Sequence, residues 1–240
     1  MKKSSRKSYY NISADVYDFF KDGLIYFPIK TDLKTITQKL NTLAFHEKYY
    51  GSMDADLDFD AYKFLWNHFP LEEVIQKAQH LSGRSDLYIG DIALRKVLPK
   101  SKPYLNWHRD TWVYTKNTNG RIPPLIKVIF YFSNSQDLTE KSIVFSKGSN
   151  RRFITKNRIV DLGLNSLLSR VTIGGKNYCD CVIFSSEICH KVIPPLKNEA
   201  FRLIMNLCSK EQLEGFERDS NLDIFIDKHN SEVIQEKEII

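Results

Sequence analysis

Of the residues in this chain that could bind a metal or move a proton, a histidine and an aspartate stand two positions apart. Within "LNWHRDTWVY", residues 105–114, one residue separates His108 from Asp110. In a strand, side chains at i and i+2 project from the same face. His108 and Asp110 would then point into one cavity with Asn106, while Arg109 points away. An imidazole and a carboxylate on one face are two of the three ligands of a facial triad. Such a triad holds non-heme Fe(II) and leaves neighbouring coordination positions open. Six histidines and seventeen aspartates in 240 residues give roughly 0.4 His-x-Asp pairs by chance, so the pair needs a third ligand from another strand.

His190 is the histidine with a strand-like setting. It ends "CVIFSSEICH" and precedes "KVIPPLKNEA" and the strand-like "FRLIMNL" at 201–207. In that last run Phe201, Leu203, Met205 and Leu207 share one face, and Arg202, Ile204 and Asn206 share the other. An arginine in so apolar a strand is costly unless a carboxylate meets it or the strand lies at an exposed edge. Lys127, inside "LIKVIFYF", is a second and weaker candidate for holding a carboxylate. His46, His68 and His80 fall in the first third of the chain, and His229 in a polar tail. A lone histidine in such settings ordinarily serves the surface or the core.

The elements that must position these residues follow from the hydrophobic period. "DLKTITQKLNTLAF" at 32–45 sets Leu33, Ile36, Leu40 and Leu43 on one helical stripe, with Asp32 or Thr31 to cap it. "PLEEVIQKAQHLSG" at 70–83 repeats the pattern, with Pro70 and two acids at its start and Gly83 just past its end. "MDADLDFD" at 53–60 mimics a calcium loop but lacks the central glycine, and Leu65 stands where the closing glutamate belongs. From about residue 86 the period shortens. Six or more runs rich in β-branched and aromatic residues follow without helical patterns between them, which predicts an antiparallel sandwich or barrel. The expected architecture is mainly β with N-terminal helices: a helical layer at 1–84 on a jelly-roll core at 85–208, in one domain. Residues 209–240 read as a polar tail in which only "LDIFI" at 222–226 suggests a strand.

Composition narrows the class. Hydrophobic residues at 42% and charged residues at 27% fit a soluble globular chain. The longest apolar runs are too short to span a bilayer, and the basic start "MKKSSRK" leads into "SYYNISADVYDFF" instead of an apolar signal segment. A cytoplasmic protein is the expectation. Cys179, Cys181, Cys189 and Cys208 lack zinc-finger spacing and read as reduced, buried thiols. Of the net charge of +6, Lys2, Lys3, Arg6 and Lys7 carry four, so the remaining chain holds only +2. That distribution argues against a nucleic-acid-binding face. "KGSNRRFITKNR" at 147–158 carries five basic residues and no acid. It reads as a solvated loop or as a contact for an anionic substrate group.

In the order of these features the chain resembles the Fe(II)/2-oxoglutarate-dependent dioxygenases, specifically the phytanoyl-CoA dioxygenase-like branch. "FFKDGLIYFPI" at 19–29 is similar to that family's opening segment, and His108 and Asp110 match its H-x-D. "VIFYFSNSQDLTEKSIVFSKGSN" loosely matches its central strand and loop; "CDCVIFSSEICH" and "FRLIMNL" match its late His and Arg strands. The likeness runs from about residue 15 to 208. The family's PGSH is here Lys147-Gly148-Ser149-Asn150, and its Gly-Asp is Cys179-Asp180.

The resemblance implies a double-stranded β-helix (jelly-roll, cupin-like) core with Fe(II) held by His108, Asp110 and His190. 2-Oxoglutarate would chelate the metal, with its far carboxylate on Arg202 and Asn106 as a further contact. Trp107, Trp112, Tyr114 and Tyr131 are pocket or core residues. An aspartate at 110, where related halogenases carry a small residue, favours hydroxylation or another oxidation over halogenation. The implied reaction consumes O2, oxidises a C–H bond of a small molecule and releases succinate and CO2. An oxygenase acting on nucleic acid or protein, or a jelly-roll binding protein without turnover, are the alternatives.

Overall fold

The structure is a computed structural model that describes residues 14–49, 51–102, 106–110, 124–133, 143–151, 168–173, 179–216 and 219–228. Its first part mixes helices and strands: α1 (Ala14–Asp22), β1 (Leu24–Pro28), α2 (Leu33–Leu40), β2 (Phe45–Tyr49), β3 (Ser52–Ala55), α3 (Phe59–His68) and α4 (Leu71–Ser82). Strands β4 (Tyr88–Val97), β5 (Ile126–Ser133), β6 (Ile143–Ser146), β7 (Arg170–Ile173), β8 (Cys179–Ser185), β9 (His190–Val192) and β10 (Ala200–Cys208) follow. Two helices close the described chain, α5 (Lys210–Leu213) and α6 (residues 220–228).

The caps fall where side-chain chemistry puts them. Asp32 accepts hydrogen bonds from the backbone N–H of Lys34 and Thr35, starting α2. Asp58 does the same for Ala61 and starts α3, so the aspartates of "MDADLDFD" serve a strand and a helix cap. Gly83 ends α4 at φ 66°, a left-handed turn that glycine enters without strain.

The strands form two sheets. The larger runs β1-β8-β5-β10-β4-β3-β2 and the smaller β7-β6-β9, with every pairing antiparallel. This is a jelly-roll. One face of the large sheet packs on the helices through Ile92, Leu94, Val128, Phe130, Leu203 and Met205, against Ile36, Leu65, Val74 and Leu81. Its other face meets the small sheet through Leu24, Ile129, Val182, Phe184 and Ile204, against Ile143, Phe145 and Ile173. Each such side chain fully withdrawn from water contributes roughly 1.5–3 kcal/mol.

Three expectations change. The helix predicted over 32–45 stops at Leu40, because Phe45 pairs with Ala55 and packs its ring 6.4 Å from Phe201. The N-terminal third is therefore not simply a helical layer: β1 hydrogen-bonds to β8 and β3 to β4, so it supplies three strands of the large sheet. "LDIFI" is helical instead of extended. Leu222 and Phe225 are buried three residues apart, and Phe225 lies 5.4 Å from Trp66 and 5.8 Å from Phe59, ring to ring. A period near 3.6 wins over β-propensity there because it buries both side chains, Phe225 against α3.

Candidate metal centre

The alternation of β10 decides what faces the small sheet. Arg202, Ile204 and Asn206 project there, paired in register with Tyr131, Ile129 and Lys127 of β5 and with Arg95, Ala93 and Asp91 of β4. Two polar rows thus cross the inner face, separated by an apolar one. The first, Asp91–Asn206–Lys127, lies beside His108 and Asp110; the second, Arg95–Arg202–Tyr131, lies four residues along β10.

His108 and His190 face each other across an isolated antiparallel bridge, each backbone N–H donating to the other's carbonyl at 2.9 Å. The extended segment expected around 105–114 reduces, among the described residues, to this single bridge; Asp110 sits in a turn whose N–H donates to Ser186 O at 3.1 Å. Nδ1 of His108 lies 2.8 Å from Asn106 O, and Nδ1 of His190 lies 3.0 Å from Ile188 O. A carbonyl can only accept, so each ring carries its proton on Nδ1 and turns the Nε2 lone pair inward. His108 Nε2 is 3.6 Å from Asp110 Oδ1, and His190 Nε2 is 3.6 Å from Asp110 Oδ2. One ligand atom from each of the three lies within 4.8 Å of the others. Two neutral imidazoles and one carboxylate, converging and mostly buried, form the donor set of a facial triad.

Electrostatics keep Asp110 and His190 deprotonated. Burial works to raise the Asp110 carboxyl, but the Lys127 ammonium leads the opposing interactions that hold it well below the usual carboxylate range. The Lys127 ammonium donates to Asp110 Oδ2 at 2.9 Å. Burial pushes the His190 imidazole down to about 4, only partly offset by the Asp110 charge.

Arg202 is 6% exposed, and its Nε has no hydrogen-bond partner. Its neighbour Arg95 is satisfied by Asp54, which accepts from Nε at 2.5 Å and from Nη2 at 2.9 Å. Arg202 has no such partner among the described residues. Burial, and then the charge of Arg95, push its guanidinium down to about 10. A buried cation with an orphan donor on the face towards the small sheet suits an anionic partner.

Asn106 departs from its expected place. Bends at 106 and 107 replace the strand, so its side chain is exposed and accepts from the Trp107 N–H at 3.0 Å. Its backbone carbonyl, not its amide, serves the cluster. Arg109 points away from the ligands as expected, yet it is only 1% exposed. Its Nη1 donates to Ser149 O at 2.9 Å and to Glu187 O, tying together the loops on either side of the bridge. No local signal in the sequence marks that role. Lys147, the first residue of the basic cluster, is engaged by Asp22 at 2.6 Å, and Ser149 Oγ accepts from the Cys189 N–H. Residues 152–158 of that cluster, with Trp112 and Tyr114, lie outside the described residues. Tyr131 is buried. His46 pairs with Asp56, and His68 stacks on Phe64; neither approaches the cluster. All four cysteines are free and buried, with burial pushing the Cys179 thiol up to about 12.

No family model and no curated protein matches the sequence. Solved structures do match the fold. SnoK, a non-heme alpha-ketoglutarate-dependent carbocyclase from nogalamycin biosynthesis, is 12% identical with a TM-score of 0.57, over 83% of this chain and 85% of its own. The chain has the fold of the non-heme 2-oxoglutarate-dependent enzymes. EctD from S. alaskensis, solved with bound Fe, is 15% identical with a TM-score of 0.58, over 86% of this chain and 80% of its own. HygX from Streptomyces hygroscopicus, solved with nickel, 2-oxoglutarate and hygromycin B, is 13% identical with a TM-score of 0.54, over 82% and 86%. Among the described residues no helix is long and apolar enough to cross a membrane.

Proposed function

We propose that this chain is an Fe(II)/2-oxoglutarate-dependent oxygenase that hydroxylates a C–H bond of a small-molecule metabolite, consuming O2 and releasing succinate and CO2. One observation carries the reading: His108, Asp110 and His190 bring one ligand atom each within 4.8 Å of one another, on the sheet face that also carries the buried Arg202 with its unsatisfied Nε. The donor set of two imidazoles and one carboxylate suits Fe(II), being borderline in softness. When bound, the iron and co-substrate supply the oxidising chemistry.

The chain's own residues bind and orient. Asn106 O and Ile188 O fix the two rings, so His108 and His190 present Nε2 without rearranging. Arg202 would take the distal carboxylate of 2-oxoglutarate, its planar fork suiting a paired contact in a dry site. Ile129, Ile204 and Val182 line the interior between the polar rows and exclude water there. The reading keeps residues 1–240 as one unit, because β1 completes the sheet that carries the site and α6 packs on α3. Four free, buried thiols are consistent with a reducing compartment and support a cytoplasmic setting for the reaction. The small-molecule substrate is supported by neighbours such as HygX, solved with hygromycin B.

The test is an anaerobic titration with Fe(II) and 2-oxoglutarate, followed by metabolite screening for O2-dependent succinate release. A metal-to-ligand charge-transfer band should develop in the wild type and be lost in His108→Ala. Absence of the band in the wild type would sink the proposal.

A further inference from the structure

Lys127 sits where a lysine is expensive. It interrupts the run Leu125, Ile126, Val128, Ile129, Phe130, all buried, and projects onto the inner face between Phe184 of β8 and Asn206 of β10. Its side chain is 17% exposed, and its Nζ lies 2.9 Å from Asp110 Oδ2, whose side chain is 16% exposed. An ammonium has three N–H donors. Asp110 takes one, and among the described residues no other acceptor takes the rest. Beside it in register, the Asn206 amide donates to Asp91 while Asn206 Oδ1 is buried without a partner. Asp91 feels the Lys127 charge as well, so the lysine lies between two carboxylates.

We infer that Lys127 is a positioning residue that ties up one oxygen of Asp110, so that the carboxylate meets the metal through the other, and that holds a fixed positive charge to draw in the dianionic co-substrate. This rests on the proposed function above. A carboxylate with one oxygen held by an ammonium coordinates through a single oxygen and keeps neighbouring metal positions open. The same charge acts oppositely on the two ligands. It repels the divalent cation and attracts the dianionic 2-oxoglutarate. A unit charge at about 5 Å in a partly buried site changes the affinity of a charged ligand by about tenfold or more.

The experiment uses the full chain with Lys127→Met, Lys127→Gln and Lys127→Arg; Gln provides a second neutral variant should Met impair folding, which circular dichroism checks. Co(II) titration reads metal affinity, and 2-oxoglutarate titration of the anaerobic Fe(II) protein reads co-substrate affinity, both at fixed pH. Neutral variants should bind metal about tenfold more tightly and 2-oxoglutarate about tenfold more weakly, while Arg stays within about threefold of wild type for 2-oxoglutarate. Tighter metal binding with unchanged 2-oxoglutarate affinity would overturn the inference, leaving Lys127 as a counter-ion for the metal-free carboxylate. Weaker binding of both would equally overturn it, marking a structural support. A wild type that binds neither ligand would instead overturn the proposed function itself.

Discussion

Replacing Arg202 by methionine separates what the site needs from what the fold needs. The guanidinium is buried, its Nε is unsatisfied, and Asp54, the carboxylate in reach, is already committed to Arg95 by two hydrogen bonds. A buried charge without a partner costs stability, and an apolar side chain of similar length removes that cost, typically gaining about 1–3 kcal/mol. For a chain of this size that corresponds to a rise of roughly 2–10 °C in the melting temperature of the ligand-free protein. Binding should move the other way. Losing one partner of a buried, charge-assisted contact costs about 2–5 kcal/mol, so 2-oxoglutarate should bind at least about 30-fold more weakly. Co(II) affinity should stay near wild type, since the triad is untouched. Differential scanning fluorimetry of the metal-free protein and 2-oxoglutarate titration of the Fe(II) form read the two effects. A melting temperature several degrees lower, or 2-oxoglutarate affinity within about threefold of wild type, would refute the reasoning.

The same substitution at Arg109 should have the opposite effect on stability. Arg109→Met strands the carbonyls of Ser149 and Glu187 and should cost about 2–4 kcal/mol in chemical denaturation, with weaker metal binding as the loops beside the bridge loosen. In the metal-free protein His190, pushed down to about 4 by burial, stays neutral where an unfolded imidazole with the ordinary value of 6.5 takes a proton. Its contribution is whole above pH 6.5 and lost as pH falls towards 4, by roughly 3 kcal/mol. Urea midpoints across that range should fall with pH, and a flat profile would contradict the burial of His190. Phe225→Ala should cost about 3–5 kcal/mol by emptying a contact with Phe59, Tyr62 and Trp66, whereas Ile224→Ser, at a position 56% exposed, should stay within about 0.5 kcal/mol. Equal losses would place residues 220–228 in some other orientation.

By itself the sequence determined what depends on neighbours a few residues apart. The period of 70–83 with Gly83 at its end gave α4, and the alternation of 201–207 set Arg202 and Asn206 on the face opposite Leu203 and Met205. The run of β-patterned segments gave the jelly-roll, because side-chain direction in a strand is a local property. The spacing also nominated His108, Asp110, His190 and Arg202. Tertiary structure decided what depends on partners far along the chain. Whether Phe45 continues a helix or starts a strand depends on Ala55 and Phe201, and whether "LDIFI" is a strand or a helix depends on α3. Asn106 lost its side-chain role because the segment bends before the bridge, and Arg109 gained one because two loops, forty and seventy-eight residues away, bring their carbonyls to it. Nothing near Arg202 reveals that Asp54 is spoken for, and nothing near Lys127 reveals Asp110 at 2.9 Å. A buried charge takes its meaning from what surrounds it, and those surroundings are assembled only when the sheets close.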